Sequence, residues 1–176
     1  MSEIRGRARR LGDRVNTDYI ISSSRKKETL DPHELKRWLL ESVDPDFAAS
    51  VADNDLLVAD DAFGCGSAME VAVTVVLAAG VQAVVAKSFS RTYFRNAINN
   101  GLIPVECDTT GIREGDELTI REGPAGVTVA NERTGAETQG RPLPPFVMDI
   151  LEAGGLVPYL KTAGGFTDPS PSGSNA

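Results

Sequence analysis

The stretch LLVADDAFGCGSAMEVA, residues 56–72, carries an apolar strand, a glycine-rich turn and the beginning of an apolar helix. The run 56–59 predicts a buried strand, and the almost wholly apolar run 68–79, closed by Gly80, predicts a helix. Ser67 is then expected at the start of that helix, where free N–H groups and the helix dipole favour an anion. Taken alone, the same pattern also describes an ordinary serine cap after a glycine-rich turn.

Downstream of this stretch, strands and helices alternate. Residues 81–86 predict a second buried strand, 90–100 a helix with Gly101 as its stop, and 103–106 a third strand. This order indicates a parallel α/β layer. Residues 116–121 and 127–131 alternate in polarity around a glycine- and proline-containing turn, which predicts antiparallel strands, and residues 144–153 predict a late helix.

Upstream, residues 4–10 predict an opening strand, and residues 12–30 a long loop with a short strand near Tyr19–Ile21. Asp31 and Pro32 suit the cap and first turn of a helix. Residues 46–51 predict a second short helix. Residues 163–176 are rich in Gly, Ser, Pro and Thr, so we expect a disordered tail after one domain at 1–162.

Composition excludes several classes of function. The 176 residues carry a formal net charge of −7, and the basic clusters are short, so we do not expect a nucleic-acid binder. No apolar run reaches the ~20 residues of a membrane span and no secretory signal is visible, so the cytoplasm is expected. With two cysteines and one histidine, the chain cannot assemble a metal cluster by itself.

Three motifs in order resemble one known family. They are GDRVNTDYII (12–21), the stretch at 56–72, and VVAKSFSRTYFRNAINNGLIPV (84–105). Together they are similar to the small subunit of 3-isopropylmalate dehydratase and of homoaconitase, the counterpart of the swivelling domain of aconitase. The resemblance covers roughly residues 4–160 and implies a swivelling β/β/α domain, which agrees with a parallel α/β core followed by antiparallel strands.

The resemblance also implies an activity. Members of the family remove and add water on a small hydroxy-acid, in a complex with a large subunit that carries a [4Fe–4S] cluster, while the small subunit itself binds no cofactor. Ser67 falls on the family's proton-abstracting serine, and Asp18 on an active-site aspartate that we otherwise interpret as a turn carboxylate. Both residues are therefore candidate catalytic groups.

The chain departs from the family where substrate is bound. The family continues as Gly-x-Gly-Ser-Ser-Arg-Glu, but after Gly66 and Ser67 this chain has Ala68 and Met69, so a carboxylate-binding arginine is missing. Either the substrate differs, which we favour, or the chain is a divergent, non-catalytic relative. A loop whose residues select substrates in the family carries three cations that could restore positive charge or could simply be solvated, namely Arg25, Lys26 and Lys27.

Overall fold

The computed structural model describes residues 3–123 and 126–163, and this part of the chain builds one mixed sheet. Its strand order is β4-β3-β2-β1-β5-β6-β7. Strands β1 to β4 pair in parallel, and β5 to β7 continue the sheet from β1 in antiparallel fashion. The strands are β1 (Ile4–Arg10), β2 (Leu56–Val58), β3 (Ala83–Ala86), β4 (Ile103–Glu106), β5 (Glu117–Gly123), β6 (Gly126–Asn131) and β7 (Ala136–Gln139).

Short helices pack against the parallel half of the sheet. Two 3₁₀ turns, Arg25–Lys27 and Lys36–Trp38, lie among them. None of the helices in the described ranges is long and apolar enough to cross a membrane. The helices are α1 (Thr17–Ile20), α2 (Pro32–Leu35), α3 (Phe47–Ser50), α4 (Val71–Ala78), α5 (Arg91–Asn100), α6 (Pro145–Glu152) and α7 (Leu156–Ala163).

The central strands separate two hydrophobic clusters. Because side chains alternate along a strand, Leu57 and Val84 face one cluster, which α4 covers, whereas Leu56, Val58 and Val85 face the other. Every residue of β2 and β3 is buried, as expected for parallel strands covered on both faces. A third cluster joins α5, α6 and α7. The parallel strands thus form a rigid platform, and the loop after β2 leaves from its carboxyl edge.

The predicted parallel core followed by antiparallel strands is confirmed. Helix α5 has the expected ends: Ser90 Oγ accepts from the N–H of Tyr93, and Gly101 ends the helix with φ 81°. Strand β7 and helix α7 were not predicted. Of the predicted tail, only Ala163 lies within the described residues, and of the predicted turn 122–126, residues 124 and 125 lie outside them.

Two predictions were wrong. The short strand near Tyr19–Ile21 is instead the helical turn α1, because the side chain of Asn16 caps it by accepting from the N–H of Asp18 at 2.9 Å. Helix α4 begins at Val71 and not at residue 68, so Ser67 is not at a helix start. In the loop before α4, the carbonyl of Ser67 is held by Thr17 of α1, and Met69 contacts Ser23 and Lys26.

Candidate functional site

Two distant segments are joined to build the site. The N–H of Gly64 donates to the carbonyl of Val15, and the N–H of Thr17 donates to that of Cys65, both at 2.8 Å. These bonds accompany a parallel bridge between Asn16 and Cys65. As a result, the segment before α1 lies alongside the glycine-rich turn, and the first two sequence motifs meet in space.

Gly66 permits this close approach. Its φ is 103°, in the left-handed region that glycine tolerates without strain. A Cβ at this position would lie 2.4 Å from Oδ1 of Asn16, the atom that caps α1. The glycine thus allows the asparagine to cap α1 and, through it, positions Asp18, the second residue of that helix.

Ser67 is exposed and is anchored through its main chain. Its carbonyl oxygen accepts from Oγ1 of Thr17 at 2.9 Å, while Thr17 itself is only 2% exposed. Within the described residues, the N–H groups of 67–70 donate to no protein acceptor. The serine therefore stands on a fixed loop whose free backbone donors can bind an anion.

Asp18, Met69 and Lys26 come together beside this loop. Ser23 donates from Oγ to Oδ1 of Asp18, and the same Oγ lies 4.0 Å from Sδ of Met69. Nζ of Lys26 lies 2.9 Å from the same sulfur. Met69 is 6% exposed and packs into the main core cluster. A thioether is a weak acceptor, so the ammonium keeps its positive charge available to a ligand.

The other two cations of the loop are placed differently. Arg25 makes two bonds of 2.9 Å to Glu41 and one of 3.0 Å to Glu28, and its guanidinium lies over the ring of Trp38. These carboxylates raise the pKa of Arg25 further above its usual range, Glu41 first. Lys27 is exposed, and its side chain makes no polar contact with the described residues. Of the three predicted cations, Lys26 alone reaches Met69.

A charged brace holds the base of the loop. Asp60, just after β2, accepts from Nη2 of Arg10 at 2.7 and 2.8 Å and pairs with Nζ of Lys87 at 3.1 Å. Arg10 first, and then Lys87, keep the pKa of Asp60 below its usual range. The brace therefore ties together the carboxyl ends of three strands beneath the site loop.

Neither cysteine has the surroundings of a cluster ligand. Burial first, and then the charge of Asp108, raise the pKa of Cys107 to about 11, which disfavours the thiolate that metals need. Cys65 Sγ is directed at the carbonyl of Arg14, at 3.4 Å. Across the described ranges, no three His, Cys, Asp or Glu residues are grouped to hold a metal. The described residues therefore do not suit an iron–sulfur cluster.

Two contributors to the site were missed from the sequence. Thr17 connects the motif at 12–21 to the main chain of Ser67, and its position beside Asp18 was the available signal. Ser23 connects Asp18 to Met69, but it sits in a serine-rich run that offers no local clue. The exposed Ala68 contributes only its backbone and methyl group.

Comparisons with known proteins identify the family and the fold. The sequence profile of the aconitase C-terminal domain matches residues 17–110. A 3-isopropylmalate dehydratase small subunit of Methanopyrus kandleri is 46% identical, over 92% of this chain and 94% of the relative. An isopropylmalate/citramalate isomerase small subunit of Methanocaldococcus jannaschii is 41% identical, over 91% and 95%. The crystal structure of 3-isopropylmalate dehydratase from the same organism superposes with a TM-score of 0.87 at 38% identity, covering 93% of this chain and 96% of the other.

Proposed function

Because the chain belongs to the family of 3-isopropylmalate dehydratase small subunits, we propose that it acts with a large subunit to dehydrate and rehydrate a small hydroxy-acid. The observation that carries this proposal is the series of contacts that begins at the Ser67 carbonyl, passes through Thr17 and its neighbour Asp18, and continues through Ser23 to Met69 and Lys26. It brings together an exposed hydroxyl, a carboxylate, an ammonium group whose neighbour is a thioether, and free backbone donors. This is the set of groups that a small anionic substrate requires.

Ser67 is the proposed proton acceptor. In its ionised form, the Oγ takes the proton from the carbon next to a substrate carboxylate, and the electron pair left behind forms the double bond as hydroxide leaves the neighbouring carbon. A neutral serine is a weak base, and positive charge close by favours its ionised form. Lys26 and the free N–H groups of 67–70 supply that positive character, in place of the helix start that the sequence suggested.

Asp18 is the proposed partner in the hydrogen-bonding network around the reacting groups. Its position on α1 is set by the Asn16 cap, and its Oδ1 is already bonded to Ser23. We further propose that the large subunit holds the [4Fe–4S] cluster, which supplies a Lewis acid for the departing hydroxyl. The small subunit then contributes binding, orientation and proton transfer.

Met69 is the proposed determinant of substrate choice. Where the family places a guanidinium fork, this chain has a buried thioether with an ammonium beside it. A lysine binds a carboxylate as a point charge and orients it less than an arginine does. We therefore propose a hydroxy-acid that presents a neutral or apolar group here, against which Met69 can pack. The name of the M. jannaschii relative covers two alkyl-malates, so one similar subunit is named for acids that differ in their alkyl group.

The test is co-expression with the cognate large subunit, anaerobic cluster reconstitution, and a screen of hydroxy-acids followed by formation of the unsaturated acid. The native complex is expected to turn over another hydroxy-acid with higher kcat/KM than 3-isopropylmalate. The double change Ala68→Ser/Met69→Arg should shift that preference toward 3-isopropylmalate. A native preference for 3-isopropylmalate, unchanged by the double substitution, would refute the role of Met69. Absence of turnover on every acid by an assembled complex would favour a non-catalytic subunit.

A further inference from the structure

A groove with an unusual charge lies beside the proposed active site. It has a volume of about 440 Å³ and runs between α5 and the segment that follows β7. Its lining combines guanidinium groups with apolar surface. Six of the lining residues carry the argument, namely Arg91, Arg95, Arg141, Phe89, Phe94 and Leu143.

The positive charge of this groove is poorly compensated. Arg141 makes one contact of 3.2 Å with Glu106 and remains 78% exposed. Arg91 and Arg95 are exposed, and neither has a carboxylate partner within the described residues. They lie four residues apart on α5, so they share a face and repel one another. Three arginines and one glutamate give the groove a net charge of +2 in a chain whose formal charge is −7.

The wall of the groove disfavours strand addition, in which a partner segment pairs with the backbone. Residues 142 and 144 are prolines without N–H groups, and the N–H of Arg141 already donates to the carbonyl of Glu106 at 2.7 Å. An added strand would therefore find few backbone donors on this side. Recognition must use the guanidinium forks, which suit carboxylates, and the apolar side chains of Phe94 and Leu143 between them.

Two contacts join the groove to the buried start of the glycine-rich turn. The ring of Phe89 lies 5.8 Å from that of Phe94 and 5.9 Å from that of Phe63, centroid to centroid, and Phe63 directly precedes the glycine-rich turn. The hydroxyl of Ser90, next to Arg91, donates to the carbonyl of Gly64 at 2.6 Å. The groove and the exposed Ser67 therefore adjoin the same turn, so a partner that covers Ser67 lies close to the groove.

We propose that this groove docks an acidic segment of the large subunit, one in which carboxylates flank an apolar side chain. The identity of the partner rests on the proposed function, whereas the chemistry of the segment follows from the groove itself. Arginines at the edge of an interface accelerate association and make it sensitive to salt. Docking is therefore expected to weaken steeply as ionic strength rises.

The experiment measures the Kd of the full-length chain for the cognate large subunit by titration calorimetry at low and moderate salt. Arg91→Glu/Arg95→Glu should weaken binding by about 30-fold or more at low salt, since arginines are frequent interface hot spots. Arg91→Lys/Arg95→Lys should have a smaller effect, because it keeps the charge and loses the fork. The matched control is Arg113→Glu, an exposed arginine after β4 and outside the groove, which should stay within about twofold of wild type.

An unchanged Kd of the charge-reversed variant for the large subunit would overturn the proposal. The proposal would also fail if the variant lost self-association while its Kd for the large subunit stayed the same. Hydrogen exchange on the wild-type chain supplies a second readout: complex formation should protect the amides of 91–95, and no protection there would also overturn the proposal. Turnover is measured separately at saturating large subunit. A complex that binds through these arginines but converts no hydroxy-acid would refute the proposed function and leave the docking site standing.

Discussion

Replacing Gly66 with alanine tests how the site is assembled. A non-glycine residue in the left-handed region costs about 1–2 kcal/mol. The new Cβ would also lie 2.4 Å from Oδ1 of Asn16, so the asparagine must move and its cap on α1 is lost, at about a further 1 kcal/mol. We expect Gly66→Ala to lower the free energy of unfolding by about 2–3 kcal/mol, which corresponds to roughly 4–12 °C in Tm for a chain of this size.

The same change should lower the catalytic rate, because the Asn16 cap positions Asp18. Turnover of the reconstituted complex is expected to fall together with stability. The matched control is Gly12→Ala in the same segment, where an added Cβ meets nothing within 4 Å and φ is not positive. Thermal and urea unfolding of both variants provide the measurement. A Gly66→Ala chain as stable and active as Gly12→Ala would refute the packing of these two segments.

Other consequences follow from single contacts. Lys26→Met should raise KM for the hydroxy-acid about tenfold by removing a charged donor, while Lys27→Met should change KM by less than about twofold; steady-state kinetics of the two complexes decide. The hydrogen bond from Arg133 holds the pKa of the buried Asp116 well below its usual range. The stability from this pair is therefore present at neutral pH and is lost as pH falls below about 4, and urea unfolding at pH 7 and pH 3 should show a smaller acid loss for Asp116→Asn. The chain alone, reconstituted anaerobically, should bind no stoichiometric iron–sulfur cluster; iron and sulfide analysis is the check, and one cluster per chain would contradict our assignment of it to the large subunit.

The elements that could be predicted from sequence are those set by local pattern. The apolar runs of β2 and β3, the serine cap and glycine stop of α5, and the Asp31 cap of α2 all depend on residues within a few positions of one another. The start of α4 could not be predicted in this way. A hydrogen bond from Thr17, fifty positions upstream, fixes the carbonyl of Ser67, and the helix begins only at Val71 although the apolar residues begin at Ala68.

The candidate site shows the same division. Ser67 and Asp18 were identified through family motifs, and the structure places both in one contact chain, although their roles stay predictions. Which of the loop cations faces Met69 could not be read from the sequence. The position of Arg25 depends on Glu41, which lies sixteen residues further along the chain. Two hydrogen bonds to the Glu41 carboxylate hold the Arg25 guanidinium away from Met69.

The most direct test of the account is turnover by the complex that carries Ser67→Ala. The variant should bind the large subunit with unchanged Kd, since only an exposed hydroxyl is removed, and its kcat should fall by at least about 10²-fold because the proton acceptor is lost. The control is Ser42→Ala, which should match wild type. Ser42 is exposed, and its side chain has no polar partner among the described residues. A Ser67→Ala complex that dehydrates the preferred hydroxy-acid at nearly the wild-type rate would contradict the central claim.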